Sequence, residues 1–258
     1  MKVTIIGAGN MGGAIARALA GLSGLKSSEI TCTARSEGTL EKYAQAGFCT
    51  TTDNHIAVKG ADLVVFAVKP WFMEEVMRDV APHMDLERTI VASVAAGISF
   101  QQMSSWLGGS PAMFRIIPNT AIEVGAGVTF ISSCNATEHQ SGLISDMFSH
   151  MGYALEVEED KMAAGTALAS CGIAYAMKYI QASADAGESL GFSAEQAGKI
   201  VEYTVKGAAS LLLSTGNPPQ VEIDKVTTPG GMTMKGLAAM EEAGFAQAVA
   251  AGVNGCLK

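Results

Sequence analysis

The chain has 258 residues, of which 48% are hydrophobic and 16% charged, and its formal net charge is -8 at pH 7. This length and apolar content suffice for one or two domains with cores of their own. An acidic balance without a Lys/Arg cluster argues against a nucleic-acid or anionic-membrane partner. No apolar run approaches the ~20 residues that a membrane-spanning helix needs.

The first predicted element is a strand over 3–6, too short and too soon interrupted by glycine to be a signal peptide. The sequence GAGNMG follows over 7–12, and a helix is predicted over 12–22. In such a unit Gly7 permits the tight turn, Gly9 lets a pyrophosphate approach the backbone, and Gly12 lets the helix pack close to the strand. The free N–H groups of the helix start then face the phosphates. We therefore predict a dinucleotide site; the alternative is a purely structural glycine turn.

The end of the second predicted strand, 30–34, distinguishes between the nicotinamide cofactors. An acidic residue here would hold the ribose 2′-hydroxyl of NAD. The strand instead ends at Arg35 and Ser36, whose guanidinium and hydroxyl suit the 2′-phosphate of NADP, although Glu37 lies nearby. We therefore expect NADPH to be preferred over NADH. The alternative makes Arg35 a solvated turn residue.

The first 160 residues alternate strand-like and helix-like segments. Besides 3–6 and 30–34, strands are predicted over 63–68, 89–93, 112–117, 127–131 and 153–157. Further helices are predicted over 39–46, 73–80, 99–106 and 137–150, with Ser99 as an N-cap. The run LVVFAV over 63–68 is as apolar as a buried parallel strand requires. This alternation predicts an α/β domain with a doubly wound, Rossmann-type sheet.

Three later strand ends add candidate ligand contacts, because ligands of open α/β sheets lie beyond the carboxyl ends of the strands. These ends are residues 67–70, 95–97 and 118–120. Alanine and glycine leave room for a flat ring, and Lys69 and Asn119 supply polar groups. Each segment alone could be an ordinary turn, whereas the three together predict a cleft.

Strand signals vanish after residue 160. We expect a sheet domain over 1–160 and an all-α domain over 161–258, with helices within the charge-free stretch 162–177, over 179–187 and 194–215, and from 232 onward. A helical domain this apolar has more apolar surface than it can bury by itself. This surplus predicts a homodimer or a larger symmetric assembly. The alternative is that these helices only pack on the sheet domain.

The segment TTPGGMT over 227–233 is the second strong signal. Thr228 is an N-cap candidate and Pro229 suits the first helical position. Gly230 and Gly231 are poor helix formers, so two of them in a first turn suggest that a ligand approaches the backbone. The exposed N–H groups would suit a small carboxylate, whereas the alternative is a plain capped helix.

Cysteine and histidine usage points to a reduced, metal-free protein. The five cysteines are widely spread and form no CxxC pair: Cys32, Cys49, Cys134, Cys171 and Cys256. Such usage is typical of thiols in a cytoplasmic protein. The four histidines show no metal-ligand spacing, so no metal is expected.

At this point the sequence resembles the pyrroline-5-carboxylate reductase family over essentially its whole length. The resemblance rests on IIGAGNMGGAIA (5–16), AVKP (67–70), SVAAGIS (93–99), RIIPNTA (115–121), ALASCGIAYA (167–176) and DKVTTPGGMTMKGL (224–237). The chain departs from the family pattern at Ala121, at Cys171 to Ile173 where Ser-Gly-Pro is common, and at Pro218. These departures lie outside the predicted anion site.

The resemblance implies reduction of 1-pyrroline-5-carboxylate to L-proline by hydride from NAD(P)H, the last step of proline biosynthesis. Residues implied at the pyrophosphate are Gly7, Gly9, Asn10, Met11 and Gly12. Residues implied at the adenosine ribose are Arg35, Ser36 and Asn54. Residues implied around the second ribose and the nicotinamide are Ala67, Val68, Lys69, Pro70, Ala95, Ala96, Gly97 and Asn119. Residues implied at the substrate are Gly230, Gly231, Met232 and Thr233. The family's intertwined dimer implies that Thr233 serves the neighbouring subunit's site.

The chemistry fits these residues. An iminium carbon is already electrophilic, so the protein must chiefly hold two reactants about 3–3.5 Å apart. The Thr233 hydroxyl is a weak acid, so we expect it to orient the ring nitrogen or relay a proton from water. Alternatives are a reductase of the six-membered imine, a β-hydroxyacid dehydrogenase with Lys178 as the nearest candidate lysine, and a non-catalytic NADP-sensing dimer.

Overall fold

A computed structural model of the chain describes residues 1–22 and 24–257. Eight strands form one sheet in the order β3-β2-β1-β4-β5-β6-β7-β8. All neighbouring strands are parallel except β6 and β7, which are antiparallel. The strands are β1 Val3–Ile6, β2 Ile30–Thr33, β3 Cys49–Thr51, β4 Leu63–Phe66, β5 Ile90–Ser93, β6 Met113–Pro118, β7 Gly127–Cys134 and β8 Gly152–Glu156. The predicted fold class, a Rossmann-type sheet followed by helices, is confirmed.

Helices cover both faces of this sheet. They are α1 Asn10–Ala20, α2 Glu37–Gln45, α3 Asn54–Ala57, α4 Met73–Val80, α5 Phe100–Leu107 and α6 Glu138–Ser149. One buried cluster joins Ile15 of α1 and Phe148 of α6 to Val65 of the sheet. A second joins Met77 of α4 and Met103 of α5 to strand residues of the opposite face. The continuous apolar strands of the sequence therefore reflect burial on both faces.

Strand β3 was not predicted from the sequence. Its residues Cys49–Thr51 lie at the edge of the sheet and carry no apolar run, so the pattern that revealed the central strands is missing. The stop predicted at Gly47 is confirmed, since this glycine has φ +83° just before the strand. Ser99 caps α5 as predicted, with Gln102 completing a capping box.

The chain divides into two compact units, Met1–Ser170 and Cys171–Lys258. The first unit extends past the last strand because Met162 packs with Ile117 and Phe130 of the sheet. The hydroxyl of Ser170 also donates to the carbonyl oxygen of Pro118, at 3.1 Å. Helix α7, Met162–Gly165, leads into a π-helical segment, Thr166–Cys171, which the sequence did not reveal.

An ion pair holds the segment before α7 to the sheet. Glu159 Oε1 accepts from Arg115 Nη1 at 2.9 Å and from the backbone N–H of Phe100 at 2.8 Å. The Arg115 side chain is 11% exposed and that of Glu159 39% exposed. One carboxylate therefore connects β6, the start of α5 and the chain that leaves the sheet.

The second unit consists of helices: α8 Gly172–Ser189, α9 Ala194–Thr215, α10 Pro219–Lys225, α11 Met232–Glu242 and α12 Phe245–Gly255. Among its described residues only Ala197 and Glu222 are buried. Leu190, Leu213 and Met232 are more than four-fifths exposed. Within its described residues, this unit has almost no core of its own. None of the helices within 1–22 and 24–257 combines the length and the hydropathy that a membrane-spanning segment requires.

Candidate active site

The glycine-rich turn joins β1 to α1 at the point where the strand order reverses. Gly7 has φ +94°, and a Cβ there would lie 2.9 Å from Val68 Cγ1 and 3.0 Å from the Ala67 carbonyl oxygen. At Gly12 a Cβ would collide with the Gly7 carbonyl oxygen and lie 2.9 Å from Ala67 Cβ. The turn role of Gly7 and the packing role of Gly12 are thus confirmed.

Gly9 differs from Gly7 and Gly12, because a Cβ built on it would meet no atom within 4 Å. The protein itself does not require a glycine at this position. Its φ of -77° is also open to any residue. The absence of a side chain leaves a clear approach to the start of α1, which is the space that the predicted pyrophosphate needs.

The first turn of α1 offers backbone donors without a side-chain acceptor. Gly9 is its N-cap, and no side chain caps the N–H groups that follow, beginning with Asn10 and Met11. Helices α5, α6 and α9 are by contrast closed by capping boxes of Ser99, Thr137 and Ser193. Uncapped amides at the positive end of a helix favour an anion.

Arg35 follows β2 and is exposed at the same edge of the sheet. Its guanidinium carbon lies 5.3 Å from the centre of the Phe72 ring, within the range of a cation–π contact. Ser36 is the N-cap residue of α2, and its hydroxyl lies 2.9 Å from that of Thr39. The aromatic ring restricts where the Arg35 charge can lie.

Asn54 lies at the start of α3 and connects it to β2. Its Oδ1 accepts from the Thr33 hydroxyl at 2.7 Å. The Thr33 carbonyl in turn accepts from the backbone N–H groups of Gly7 and Ala8, at 3.1 and 2.7 Å. Asn54 thus supports the end of β2 that holds the glycine turn.

The other predicted strand ends meet at this edge because β1, β4, β5 and β6 run parallel. After β4 come Ala67, Val68, Lys69 and Pro70, with Lys69 exposed; after β5 come Ala95, Ala96 and Gly97, with Gly97 at φ +78°. Asn119 follows β6 and is 7% exposed. Its Oδ1 accepts from the N–H groups of Ala121 and Val128, at 3.2 and 3.3 Å, so this end of the amide shapes the loop.

The segment before α11 differs from its prediction. The helix begins at Met232 with Gly231 as N-cap, so the expectation that Thr228 caps it and Pro229 opens it was wrong. Gly230 has φ +73°, and the Gly231 N–H donates to the Thr228 carbonyl at 2.8 Å. A Cβ at Gly231 would lie 2.5 Å from Thr228 Oγ1. The turn itself therefore explains both glycines without a ligand.

The start of α11 nonetheless shares a feature with α1. Both helices begin at a glycine in extended conformation with no side-chain cap. Helix α12 also begins at a glycine, but Gly244 is left-handed there. The Thr233 hydroxyl has no hydrogen-bond partner within the described part of the chain, and Met232 is 90% exposed. Residues 230–233 belong to the second unit, whereas all predicted nucleotide contacts belong to the first.

Sequence reasoning missed two supporting aromatic residues. Phe72 contacts Arg35. The sequence feature that could have indicated this residue is the aromatic pair directly after AVKP. Tyr43 is 2% exposed, and its hydroxyl lies 3.4 Å from the Gly9 carbonyl oxygen. At Gly13 a Cβ would collide with this hydroxyl, so Gly13 and Tyr43 fit together beneath the glycine turn. No pattern in the sequence pairs these two positions.

Among the residues that the structure describes, no group of three or more His, Cys, Asp or Glu could hold a metal ion. A glycine turn at the reversal point of a doubly wound sheet, an uncapped helix start and a basic residue after β2 define a nicotinamide-nucleotide-dependent oxidoreductase. Known proteins that are similar to this chain belong to the same class and identify its family.

Residues 2–97 match the family model described as NADP oxidoreductase, coenzyme F420-dependent, and residues 159–258 match the model of pyrroline-5-carboxylate reductase dimerisation. Pyrroline-5-carboxylate reductase of Aquifex aeolicus is 33% identical over 98% of this chain and 94% of its own length. Pyrroline-5-carboxylate reductase 1 of Dictyostelium discoideum is 35% identical over 97% of this chain, which spans 48% of that longer protein. The chain belongs to the pyrroline-5-carboxylate reductase family.

Solved structures support this assignment. Pyrroline carboxylate reductase of Plasmodium falciparum, solved with NADP bound, superposes with a TM-score of 0.90, at 26% identity over 99% of this chain and 95% of its own. The Coxiella burnetii pyrroline-5-carboxylate reductase gives a TM-score of 0.90 at 29% identity, with the same coverage of both chains. The dimerisation model covers the helices that have almost no core, so the predicted dimer has an independent basis.

Proposed function

We propose that this chain reduces 1-pyrroline-5-carboxylate to L-proline with NADPH, the last step of proline biosynthesis. The observation that carries the proposal is similarity along almost the whole chain to proteins of that name. The chain spans 89% and 94% of two relatives of similar length, so the activity of those whole proteins is the relevant comparison.

The nucleotide would lie along the carboxyl edge of the sheet. The clear space at Gly9 and the uncapped amides of α1 fit a pyrophosphate held by Gly7, Gly9, Asn10, Met11 and Gly12. Arg35 and Ser36 would meet the 2′-phosphate, with Asn54 beside them. Residues proposed around the nicotinamide end are Ala67, Val68, Lys69, Pro70, Ala95, Ala96, Gly97 and Asn119. When bound, NADPH supplies the hydride.

The substrate carboxylate would lie at the start of α11. Because the Gly231 N–H is used within the turn, the amides of Met232 and Thr233 are the stronger candidates for direct contact. Gly230 and Gly231 then shape the turn that presents them. The free hydroxyl of Thr233 would donate to the ring nitrogen or relay a proton to it from water as the imine is reduced.

We further infer a shared site. The helical unit buries only two of its described residues, so a second copy is expected to cover its faces and bring its own Thr233 to the first copy's nucleotide. A larger assembly of such dimers is part of this proposal, and analytical ultracentrifugation tests it.

A cytoplasmic location is also proposed, on the basis of cysteine usage, and fractionation tests it.

The test follows NADPH oxidation with 1-pyrroline-5-carboxylate, with its six-membered homologue and with a 3-oxo acid. Fastest turnover of the five-membered imine supports the proposal. Preference for the larger ring would make the chain another cyclic-imine reductase. Turnover of the 3-oxo acid alone would make it a hydroxyacid dehydrogenase, and NADPH binding without any turnover would leave an NADP-sensing dimer.

A further inference from the structure

A cluster of reactive side chains lies within the helical unit. Tyr175 of α8 donates its hydroxyl to the carbonyl oxygen of Gly252 in α12, at 2.9 Å. The same hydroxyl lies 2.7 Å from the Sγ of Cys256, which caps the end of α12. A Cβ at Gly252 would come within 3.7 Å of the Tyr175 ring. The C-terminal end of α12 therefore rests on the beginning of α8.

Cys171 completes this cluster. It lies at the start of α8, four residues before Tyr175, and so one turn away on the same side of the helix. The Cys256 thiol raises the pKa of the Cys171 thiol, as expected for two neighbouring groups. Both thiols are free, and in the single chain Cys171 is half-buried and Cys256 exposed. Two thiols from opposite ends of the helical unit thus lie beside one tyrosine side chain.

We propose that Cys171 and Cys256 form a redox modification site, at which a peroxide produces a reversible disulfide within one chain. The exposed Cys256 sulfur attacks a peroxide oxygen, the O–O bond breaks, and Cys256 becomes a sulfenic acid as water or an alcohol leaves. The Cys171 sulfur then attacks the Cys256 sulfur, the S–O bond breaks, and water leaves with the Cys171 proton. Two thiols lose two electrons, and the peroxide gains them.

The order of attack follows from the surroundings of the two sulfurs. The neighbouring Cys256 thiol raises the pKa of the Cys171 thiol, which lowers the fraction of Cys171 present as thiolate. The contact with the Cys256 sulfur raises the pKa of Tyr175 to about 12, so its hydroxyl stays protonated. Cys171 therefore suits the resolving role and the more exposed Cys256 the attacking role.

The other cysteines provide controls. Cys49 is also exposed, but its thiol is engaged with the Ser28 carbonyl oxygen and it lies in the other unit. Cys32 is buried, and burial raises its pKa to about 12, which leaves it unreactive. A Cys49→Ser variant therefore removes an exposed thiol without touching the proposed pair.

The experiment treats the reduced, assembled protein with hydrogen peroxide, blocks remaining thiols with an alkylating reagent and maps peptides without reduction. We expect a peptide pair joined through Cys171 and Cys256, reversed by dithiothreitol and retained in Cys49→Ser. The link should be lost in Cys171→Ser and in Cys256→Ser. Mixing isotope-labelled with unlabelled chains before assembly should give only links within one chain.

Three results would overturn the proposal. One is irreversible oxidation of Cys256 while Cys171 stays a free thiol. Another is a link that joins labelled to unlabelled chains. The third is oxidation of Cys49 alone. The peptide map of the unsubstituted protein decides each of these by itself, so the conclusion does not depend on either serine variant folding.

Discussion

The guanidinium of Arg35 lies over the ring of Phe72, with 5.3 Å between the guanidinium carbon and the ring centre. Arg35 follows β2, whereas Phe72 directly precedes α4. The contact therefore joins the connection that leaves β2 to the connection that leaves β4, and β1 lies between these two strands in the sheet. A flexible, exposed arginine thereby gains a preferred position before any nucleotide binds. We therefore expect the preference between NADPH and NADH to depend on both residues.

Replacing Arg35 by Ala should raise the KM for NADPH about 10- to 100-fold, because a charge-assisted hydrogen bond contributes about 1.5–3 kcal/mol. The KM for NADH should change little. Phe72→Leu should give a smaller rise, about 2- to 5-fold, as expected for loss of an exposed cation–π contact. Steady-state kinetics with both cofactors measure this. Arg78→Ala, which removes an exposed partner of Glu74, is the control and should alter neither value.

The two glycines of the turn should separate binding from folding. Gly9→Ala adds a methyl group in open space, so the thermal midpoint should stay unchanged while NADPH affinity falls at least tenfold. Gly12→Ala should lower both, because its Cβ would collide with the Gly7 carbonyl oxygen. Calorimetry and NADPH titration by fluorescence provide the two measurements. Gly38→Ala in α2, where nothing lies within 4 Å, is the matched control. Full affinity in Gly9→Ala would place the pyrophosphate elsewhere.

Thr233→Ala should lower kcat on the imine while leaving NADPH affinity and the unfolding midpoint close to those of the parent. The hydroxyl makes no bond within the described residues, so its removal disturbs no contact there. Thr204→Ala, which removes a hydroxyl bonded to the Ile200 carbonyl of its own helix, is the control. A kcat unchanged in Thr233→Ala would remove this residue from the mechanism.

Glu159→Ala should destabilise the sheet unit by about 2 kcal/mol, because it leaves the mostly buried Arg115 without its carboxylate. The figure lies below that for fully buried pairs, since the Glu159 side chain is 39% exposed. Denaturant unfolding at fixed protein concentration measures the change. Asp160→Ala loses only a 3.9 Å contact to Lys161 at the surface and should differ little from the parent.

Glu222 should contribute a pH-dependent stability. Its carboxylate accepts from Asn217 Nδ2 at 2.7 Å and from Lys225 Nζ at 2.8 Å, and these bonds lower its pKa in the folded state. A lowered folded pKa gives stability that is complete above the unfolded value of about 4.3 and is lost as the pH falls through the folded value. Glu222→Gln should therefore be less stable than the parent at pH 7, and the difference should shrink below about pH 4. A difference that stays constant over this range would contradict the assignment.

The sequence predicted the central sheet well because strands such as β4 are continuously apolar and because Gly7 and Gly12 have separate steric roles in the first turn. It missed β3, whose three edge residues lack that pattern, and α10, which begins at Pro219 directly after another proline. It predicted a helix from 232 onward, where α11 begins, but assigned the wrong N-cap. Thr228 has the chemistry of an N-cap, but Gly230 turns the chain before the helix begins, and local propensity does not show a turn stabilised by its own backbone.

The candidate site was predicted from strand ends, and the topology brings those ends to one edge. Asn119 shows the limit of that reasoning, because its side-chain oxygen is already bonded to two backbone amides of its own loop. A polar residue after a strand can support the loop as well as contact a ligand, and the residue type alone does not distinguish the two. The Arg35–Phe72 contact likewise depends on a crossover geometry that spacing does not encode.

The scarcity of buried residues in the helical unit has a consequence for handling and for the cell. We expect a helical unit with so few buried residues to become ordered when it associates with a second copy. The rate of dimer formation should therefore be second order in chain concentration. Dilution would then act on this protein as a denaturant does on others, and newly made chains would gain activity only once enough neighbours have accumulated.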